Sequence, residues 1–199
     1  MTVPTPSTSD APHTADDAGW PDAPGDTALT IHVPEADHLV RTPARAHVTV
    51  LYPFLPLPRV TGETDGALRE LFAAVPAFTL HFGELSRWPG VLYLAPSPAG
   101  PLRALTGALR RRWPEAVPYR GVFGDAGLDP HLTLASGAGT DGIPDADFAP
   151  HLPLRAPVTE VRLIVSDGPG TPWRDLRAYP LGPAPSGTPP SGTAPSGTA

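Results

Sequence analysis

The chain has 199 residues, a net charge of −6, 30 prolines, 20 glycines and no cysteine. Without cysteine there are no disulfides, thiolate metal sites or thiol nucleophile, and the acidic balance argues against broad electrostatic binding of duplex nucleic acid. No apolar run approaches the roughly 18 residues of a membrane span and no basic-then-apolar leader opens the chain, so a soluble, cytoplasmic protein is expected.

Residues 1–26 are rich in Pro, Ser, Thr, Ala and Asp, and residues 183–199 repeat Pro-Ser-Gly-Thr or close relatives. Such segments bury too little apolar surface to offset ordering entropy, so both read as disordered tails. Between them, 27–182 reads as one domain of about 155 residues, able to bury roughly 70% of its unfolded-chain surface. All 14 basic residues are Arg, and Lys, Asn and Gln are absent. That bias marks a GC-rich genome, so no single Arg or Pro is informative by itself.

Ala28–Val33 reads as a first strand, and Glu35–Val40 as a short helix after Pro34. His47–Tyr52 is a second strand, followed by an extended Pro-rich loop, PFLPLPR. Leu68, Leu71, Phe72 and Val75 carry the i, i+3, i+4, i+7 stripe of an amphipathic helix over 65–75, closed by Pro76. Phe78, Leu80 and Phe82 alternate as one buried strand face, and Val91–Ala95 is another strand. A helix runs to about Trp113, starting at Ser97-Pro98 or at Gly100-Pro101. A loop, Pro118–Pro130, leads into a strand at His131. Ile143–Leu152 reads as a short helix, and Val158–Ser166 and Asp175–Leu181 as closing strands joined by Asp167-Gly168-Pro169-Gly170.

One pattern recurs. His47-Val48-Thr49-Val50 returns as His131-Leu132-Thr133-Leu134, 84 positions later. Side chains alternate faces along a strand, so each motif shows one imidazole and one hydroxyl on one face and two apolar residues on the other. Each motif strand is followed by a helix and a further strand, the latter starting 31 and 27 residues after the histidine. Two related β-α-β units imply two lobes about a pseudo-twofold axis, with the His-Thr pairs meeting in a central cleft. The fold class is α+β.

Two histidines at one site suit acid–base catalysis near neutral pH, one neutral and one protonated. With no metal and no covalent nucleophile, the reaction that most needs the pair is in-line attack on a phosphodiester. One imidazole takes a proton from the attacking oxygen and the other gives one to the leaving oxygen. The threonine hydroxyls would hydrogen-bond the non-bridging oxygens. The bland alternatives are hydrogen-bonded strand histidines and threonines chosen for β propensity. Neither motif has a carboxylate or second histidine at ligand spacing, so no metal or cofactor is expected. His32 and His81 read as structural, and His13, His38 and His151 as surface residues. Tyr52, Phe54, Tyr119 and Phe123 flank the motifs and could stack on a base or pack in the core. Arg120 could meet a phosphate, and Arg110-Arg111-Arg112 could form either an RNA-contacting patch or a solvated helix face.

The paired motifs resemble the 2H phosphoesterase superfamily. More narrowly, AHVTVLYPFLP at 46–56, FAAVPAFTLHF at 72–82, GVLYLAP at 90–96 and PHLTLA at 130–135 resemble the bacterial 2′-5′ RNA ligase family, over about residues 28–181. The resemblance implies a two-lobed fold with antiparallel sheets around the cleft. It also implies a metal-independent phosphodiesterase opening 2′,3′-cyclic phosphates of RNA ends or nucleotides to 2′-phosphates, with weak reversible 2′-5′ ligation in some members. On that reading His47 and His131 are general acid and base, Thr49 and Thr133 are phosphate ligands, and the substrate is an RNA 3′ end or a cyclic nucleotide. Relatives carry a longer helical segment before the first motif than the dozen or so residues between Glu35 and His47. A monomer is expected, since no exposed apolar helix face asks for a partner. The rival readings are a nucleotide- or RNA-binding module without turnover, and a hydrolase of another small phosphodiester.

Overall fold

Strand alternation and two amphipathic helices build one antiparallel sheet with a helix-covered face. The computed structural model describes residues 22–124 and 127–184, so the tails expected at 1–26 and 183–199 lie outside the described residues except for 22–26 and 183–184. Among the described residues eight strands run in chain order: β1 (Thr27–His32), β2 (His47–Leu51), β3 (Phe78–Trp88), β4 (Val91–Ser97), β5 (Leu132–Ser136), β6 (Leu154–Val158), β7 (Glu160–Val165) and β8 (Arg174–Pro180). Two helices interrupt them, α1 (Gly62–Ala73) after β2 and α2 (Gly100–Arg112) after β4.

The sheet order is β6-β3-β4-β5-β2-β1-β7-β8. The two motif strands, β2 and β5, are therefore central neighbours, each flanked by the strand that precedes it. They join two four-stranded blocks through the pair Val48↔Leu132. The duplicated units interleave, because β3 leaves the first unit to pair with β4 and β6 of the second. Matching irregularities mark the duplication. The β1–β2 ladder steps from Leu29↔Leu51 to Thr30↔Thr49, leaving Val50 as the extra residue of a bulge. The β4–β5 ladder steps from Leu92↔Ala135 to Tyr93↔Thr133, leaving Leu134. Bulges bend a strand and re-aim its side chains, and here both sit one residue past the motif threonine.

Apolar side chains of the motif strands point away from the histidines. Val48, Val50, Leu132 and Leu134 are at most 3% exposed, packed with Leu68 and Phe72 of α1 and Leu102, Leu105 and Leu109 of α2. The α1 N-terminus is capped by Thr61, whose hydroxyl accepts the Thr64 N–H, with Glu63 and Asp65 in the first turn where the helix dipole favours negative charge. α2 starts at Gly100-Pro101 rather than Ser97-Pro98, because Ser97 still pairs with His81 in the sheet.

The short helix expected at Glu35–Val40 is a 3₁₀ helix, Pro34–Leu39, and three further elements differ. Ile143–Leu152 is not a helix but parts of a run of 3₁₀ turns, at Thr140–Gly142, Asp145–Asp147 and Ala149–His151; Pro144, Pro150 and Pro153 each withhold a backbone donor. The strand expected at Val158–Ser166 is β7, Glu160–Val165, and directly before it lies a strand that was not expected, β6, Leu154–Val158. Since β6 and the β7–β8 pair lie at opposite ends of the strand order and only Thr159 separates them in the chain, the sheet curls until its ends converge. Leu181 N–H donates to the Thr159 carbonyl at that closure. Finally, β3 runs on to Trp88, past a register shift after Phe82, and carries Trp88 back over the second motif.

Candidate active site

The register places the motif residues. Continuing the antiparallel pair Val48↔Leu132 by one residue each way sets His47 opposite Thr133 and Thr49 opposite His131. The two histidines then occupy a diagonal of the lattice, where Cβ atoms stand about 7–8 Å apart. All four residues are half-buried.

Both imidazoles are held in one way. His47 Nδ1 lies 2.8 Å from the Arg45 carbonyl and His131 Nδ1 lies 2.8 Å from the Asp129 carbonyl, each two residues upstream. A carbonyl only accepts, so Nδ1 carries the proton in both rings. In the neutral form Nε2 is left as the base, and in neither ring does it have a hydrogen-bond partner among the described residues. Burial lowers the pKa of His47 below 6.5, against the Arg45 carbonyl, and His32 adds to the lowering. Burial likewise lowers His131, against the Asp129 carbonyl and with His47 adding to the lowering.

The surroundings of the two histidines differ. A cleft of about 780 Å³ opens over β1, β2 and β7 and is lined by His47, Thr49, Thr30 and His32 near the seam, and by Tyr52 and Trp173 further out. His131 and Thr133 lie across the seam, outside that lining. His131 packs edge-on against Trp88 at 4.8 Å and Tyr93 at 5.8 Å, two rings stacked on each other at 4.1 Å. So one histidine faces open volume and the other an aromatic wall.

Of the other residues singled out from sequence, Tyr52 and Tyr119 reach the cleft. Tyr119 hydrogen-bonds the Thr49 side chain, and burial pushes its phenol up to about 12. It and Arg120 hold left-handed backbone at φ 49° and 53°, a costly conformation for residues with side chains, anchored by the Tyr119 N–H to the Tyr52 carbonyl. Three residues do not line the cleft. Phe54 is 3% exposed and packs edge-to-face on Trp113 in the core. Phe123 packs edge-on behind Tyr119. Arg120 is committed to Asp26 at 2.5 Å and to the Tyr52 ring.

His32, read as structural from sequence, sits cross-strand from His47 in the cleft, and Asp37 bonds both its Nε2 at 3.3 Å and the Ala46 N–H at 2.8 Å. Arg162 of β7 pairs with Thr30 across β1 and lines the same cleft, held by Glu160 and Asp175. Trp88, Tyr93 and Trp173 also come to the site without a local signal in the sequence. Among the described residues, no group of three His, Asp or Glu side chains stands together as a metal site, and no helix is long and apolar enough to cross a membrane.

The family model of the 2′-5′ RNA ligase superfamily matches residues 30–170. A solved phosphoesterase superposes with a TM-score of 0.57 at 22% identity, covering 80% of this chain and 99% of that one. E. coli LigT complexed with 3′-AMP gives 0.52 at 24%, covering 80% and 99%. TT0787 of Thermus thermophilus gives 0.54 at 20%, covering 79% and 98%. At these identities the likeness to solved structures is one of fold. No curated protein matches the sequence.

Proposed function

The chain belongs to the 2′-5′ RNA ligase superfamily of 2H phosphoesterases, and from that membership and the geometry of the cleft we propose that it is a metal-independent cyclic phosphodiesterase. It opens 2′,3′-cyclic phosphates of RNA ends or nucleotides to 2′-phosphates. The observation that carries this reading is the matched pair of imidazoles, each held by an Nδ1–H bond to the carbonyl two residues upstream and each with no Nε2 partner among the described residues. Two identical, oppositely placed proton carriers fit a reaction that takes a proton on one side of phosphorus and returns one on the other.

Water attacks phosphorus in line with the 3′ oxygen. One Nε2 accepts the water proton, the P–O3′ bond breaks, and the other Nε2–H protonates the departing 3′ oxygen. Phosphorus stays on the 2′ oxygen. Thr49 and Thr133, on the other diagonal of the lattice, donate to the non-bridging oxygens as charge builds there. A 5′-hydroxyl in place of water gives a 2′-5′ linkage by the same steps. E. coli LigT, which shares the fold, has been crystallised with 3′-AMP, a ligand of the same class.

The asymmetry of the cleft supports one assignment of the roles. In an in-line opening the nucleoside lies on the side of the leaving 3′ oxygen. The open volume lies beside His47, while Trp88 and Tyr93 wall His131. His47 is thus the general acid and His131 the general base. The test is phosphorus NMR of a nucleoside 2′,3′-cyclic phosphate incubated with the protein in EDTA. The expected product is the 2′-phosphate alone; a 3′-phosphate, or no turnover by folded protein on nucleotides and RNA ends alike, overturns the reading.

A further inference from the structure

The segment before β1 turns back onto the cleft, and Asp22 uses both carboxylate oxygens on aromatic side chains. Oδ1 accepts the Tyr52 hydroxyl at 2.6 Å and Oδ2 accepts Trp173 Nε1–H at 3.2 Å. The two rings stand edge to face at 5.6 Å and 79°. On its other side Tyr52 meets Tyr119 at 6.0 Å, and the Tyr119 hydroxyl bonds the Thr49 side chain. A continuous aromatic wall therefore leads from the phosphate end of the cleft at Thr49 to Trp173, and all four residues line one cavity with Asp22.

Tyr52 is buried, at 7% exposure, but this corner stands apart from the main core. Neither Tyr52 nor Trp173 belongs to the hydrophobic cluster that unites the helices with the sheet. Trp173 is half-buried, just before β8, beyond the turn that follows β7. Yet both rings are fixed by polar bonds to a segment outside the sheet. Aromatic rings held in place at the rim of an open cleft lose little freedom when a flat partner stacks on them.

We propose that the Tyr52–Trp173 corner is the nucleobase subsite of this enzyme. Trp173 is the stacking surface and Asp22 a positioning residue that holds it. The proposal rests on the phosphodiesterase reading and names which part of the substrate occupies the cleft beyond the phosphate. Stacking accepts any base, because every base has a π face; the larger purine ring gains more than a pyrimidine. The ligand class is thus a nucleoside phosphate with an unpaired base, as at a single-stranded RNA end, rather than a sugar phosphate or a duplex.

The experiment is calorimetric binding of adenosine 2′-monophosphate and ribose 2-phosphate to the full chain. Wild type should bind the nucleotide about tenfold or more tightly than the base-free ligand, in keeping with a stacked base. Trp173→Ala should collapse that ratio towards one, and Trp173→Phe should keep part of it. Asp22→Ala should cut it severalfold, and Asp22→Asn should restore part, since an amide oxygen still accepts from one ring. A wild-type ratio near one overturns the subsite while leaving the phosphodiesterase reading intact. So does a ratio that survives both Trp173→Ala and Asp22→Ala in folded protein. Failure to bind either ligand overturns both.

Discussion

Val50 and Leu134 are the same residue of two β-bulges, and each turns its carbonyl out of the sheet. The Val50 carbonyl accepts the Thr106 hydroxyl of α2 at 2.7 Å, and the Leu134 carbonyl accepts the Arg41 N–H at 2.6 Å. A bulge frees a carbonyl that must find another partner. One finds it on α2 and the other in the connector after the 3₁₀ helix Pro34–Leu39, so each bend beside a motif threonine is tied to a segment outside the sheet.

Thr106→Val removes the first of these ties while keeping the shape of the side chain. Val50 is 3% exposed, so its carbonyl is left without that partner. The expected cost is about 1–2 kcal/mol of stability, read from the urea midpoint. Because Thr49 directly precedes the bulge, kcat/KM should fall as well. A stability loss with unchanged kcat/KM would show that the bulge does not set the threonine.

Both imidazoles have their pKa lowered below 6.5, chiefly by burial. Catalysis needs one protonated and one neutral ring, and the proton on the acid is already lost below pH 6.5 in the free enzyme. The bell of kcat/KM, which reports the pair rather than either ring, should therefore peak on the acid side of 6.5. A bound phosphate anion raises both imidazoles, so the alkaline limb of kcat should lie at higher pH than that of kcat/KM. An alkaline limb of kcat/KM above 6.5 would contradict the burial argument.

The assignment of His47 as acid has its own readout. A 4-nitrophenyl phosphodiester expels a leaving group that needs no proton. On a cyclic nucleotide His47→Ala and His131→Ala should each lose about 10²–10⁴ in kcat. On the nitrophenyl ester His47→Ala should keep most of its rate, and His131→Ala should not. The opposite pattern exchanges the two roles.

Asp65 ties α1 to β8. Its carboxylate accepts from the Tyr179 hydroxyl at 2.9 Å and Arg69 Nη2 at 2.7 Å, and pairs with Arg177 at 3.2 Å. Burial pushes the carboxyl up, but the Arg69 and Tyr179 hydrogen bonds and the Arg177 charge outweigh it, and the net shift is downward. Asp65→Ala strands a buried phenol and should cost about 2–3 kcal/mol. A depressed folded pKa stabilises above the unfolded value of 3.8 and is lost as pH falls through the folded one. The acid-unfolding limb should therefore flatten in Asp65→Ala.

What was legible in the sequence was local. The motif strands follow from alternation over four residues, and α1 from a stripe of apolar positions. Their juxtaposition came from the repeat, since two copies of one pattern imply two related strands. What was not legible came from long-range closure. Trp88 reaches His131 only because β3 outruns its register shift, and Asp22 meets Trp173 across nearly the whole domain. β6 was not read as a strand of its own, because a single residue, Thr159, separates it from β7 although it lies at the opposite end of the strand order from the β7–β8 pair. Phe54 and Arg120 show the converse, since nearness in sequence to a motif did not bring either into the cleft. Phe54 follows the turn at Pro53 into the core, and Arg120 is claimed by Asp26.

The most direct measurement is hydrolysis of the four nucleoside 2′,3′-cyclic monophosphates in EDTA by wild type, His47→Ala and His131→Ala. Turnover to the 2′-phosphate is expected, with each substitution reducing kcat by about 10²–10⁴, and the double variant little worse than either single one, because the pair acts as a unit. Turnover that survives loss of either histidine would contradict the two-histidine mechanism at its root.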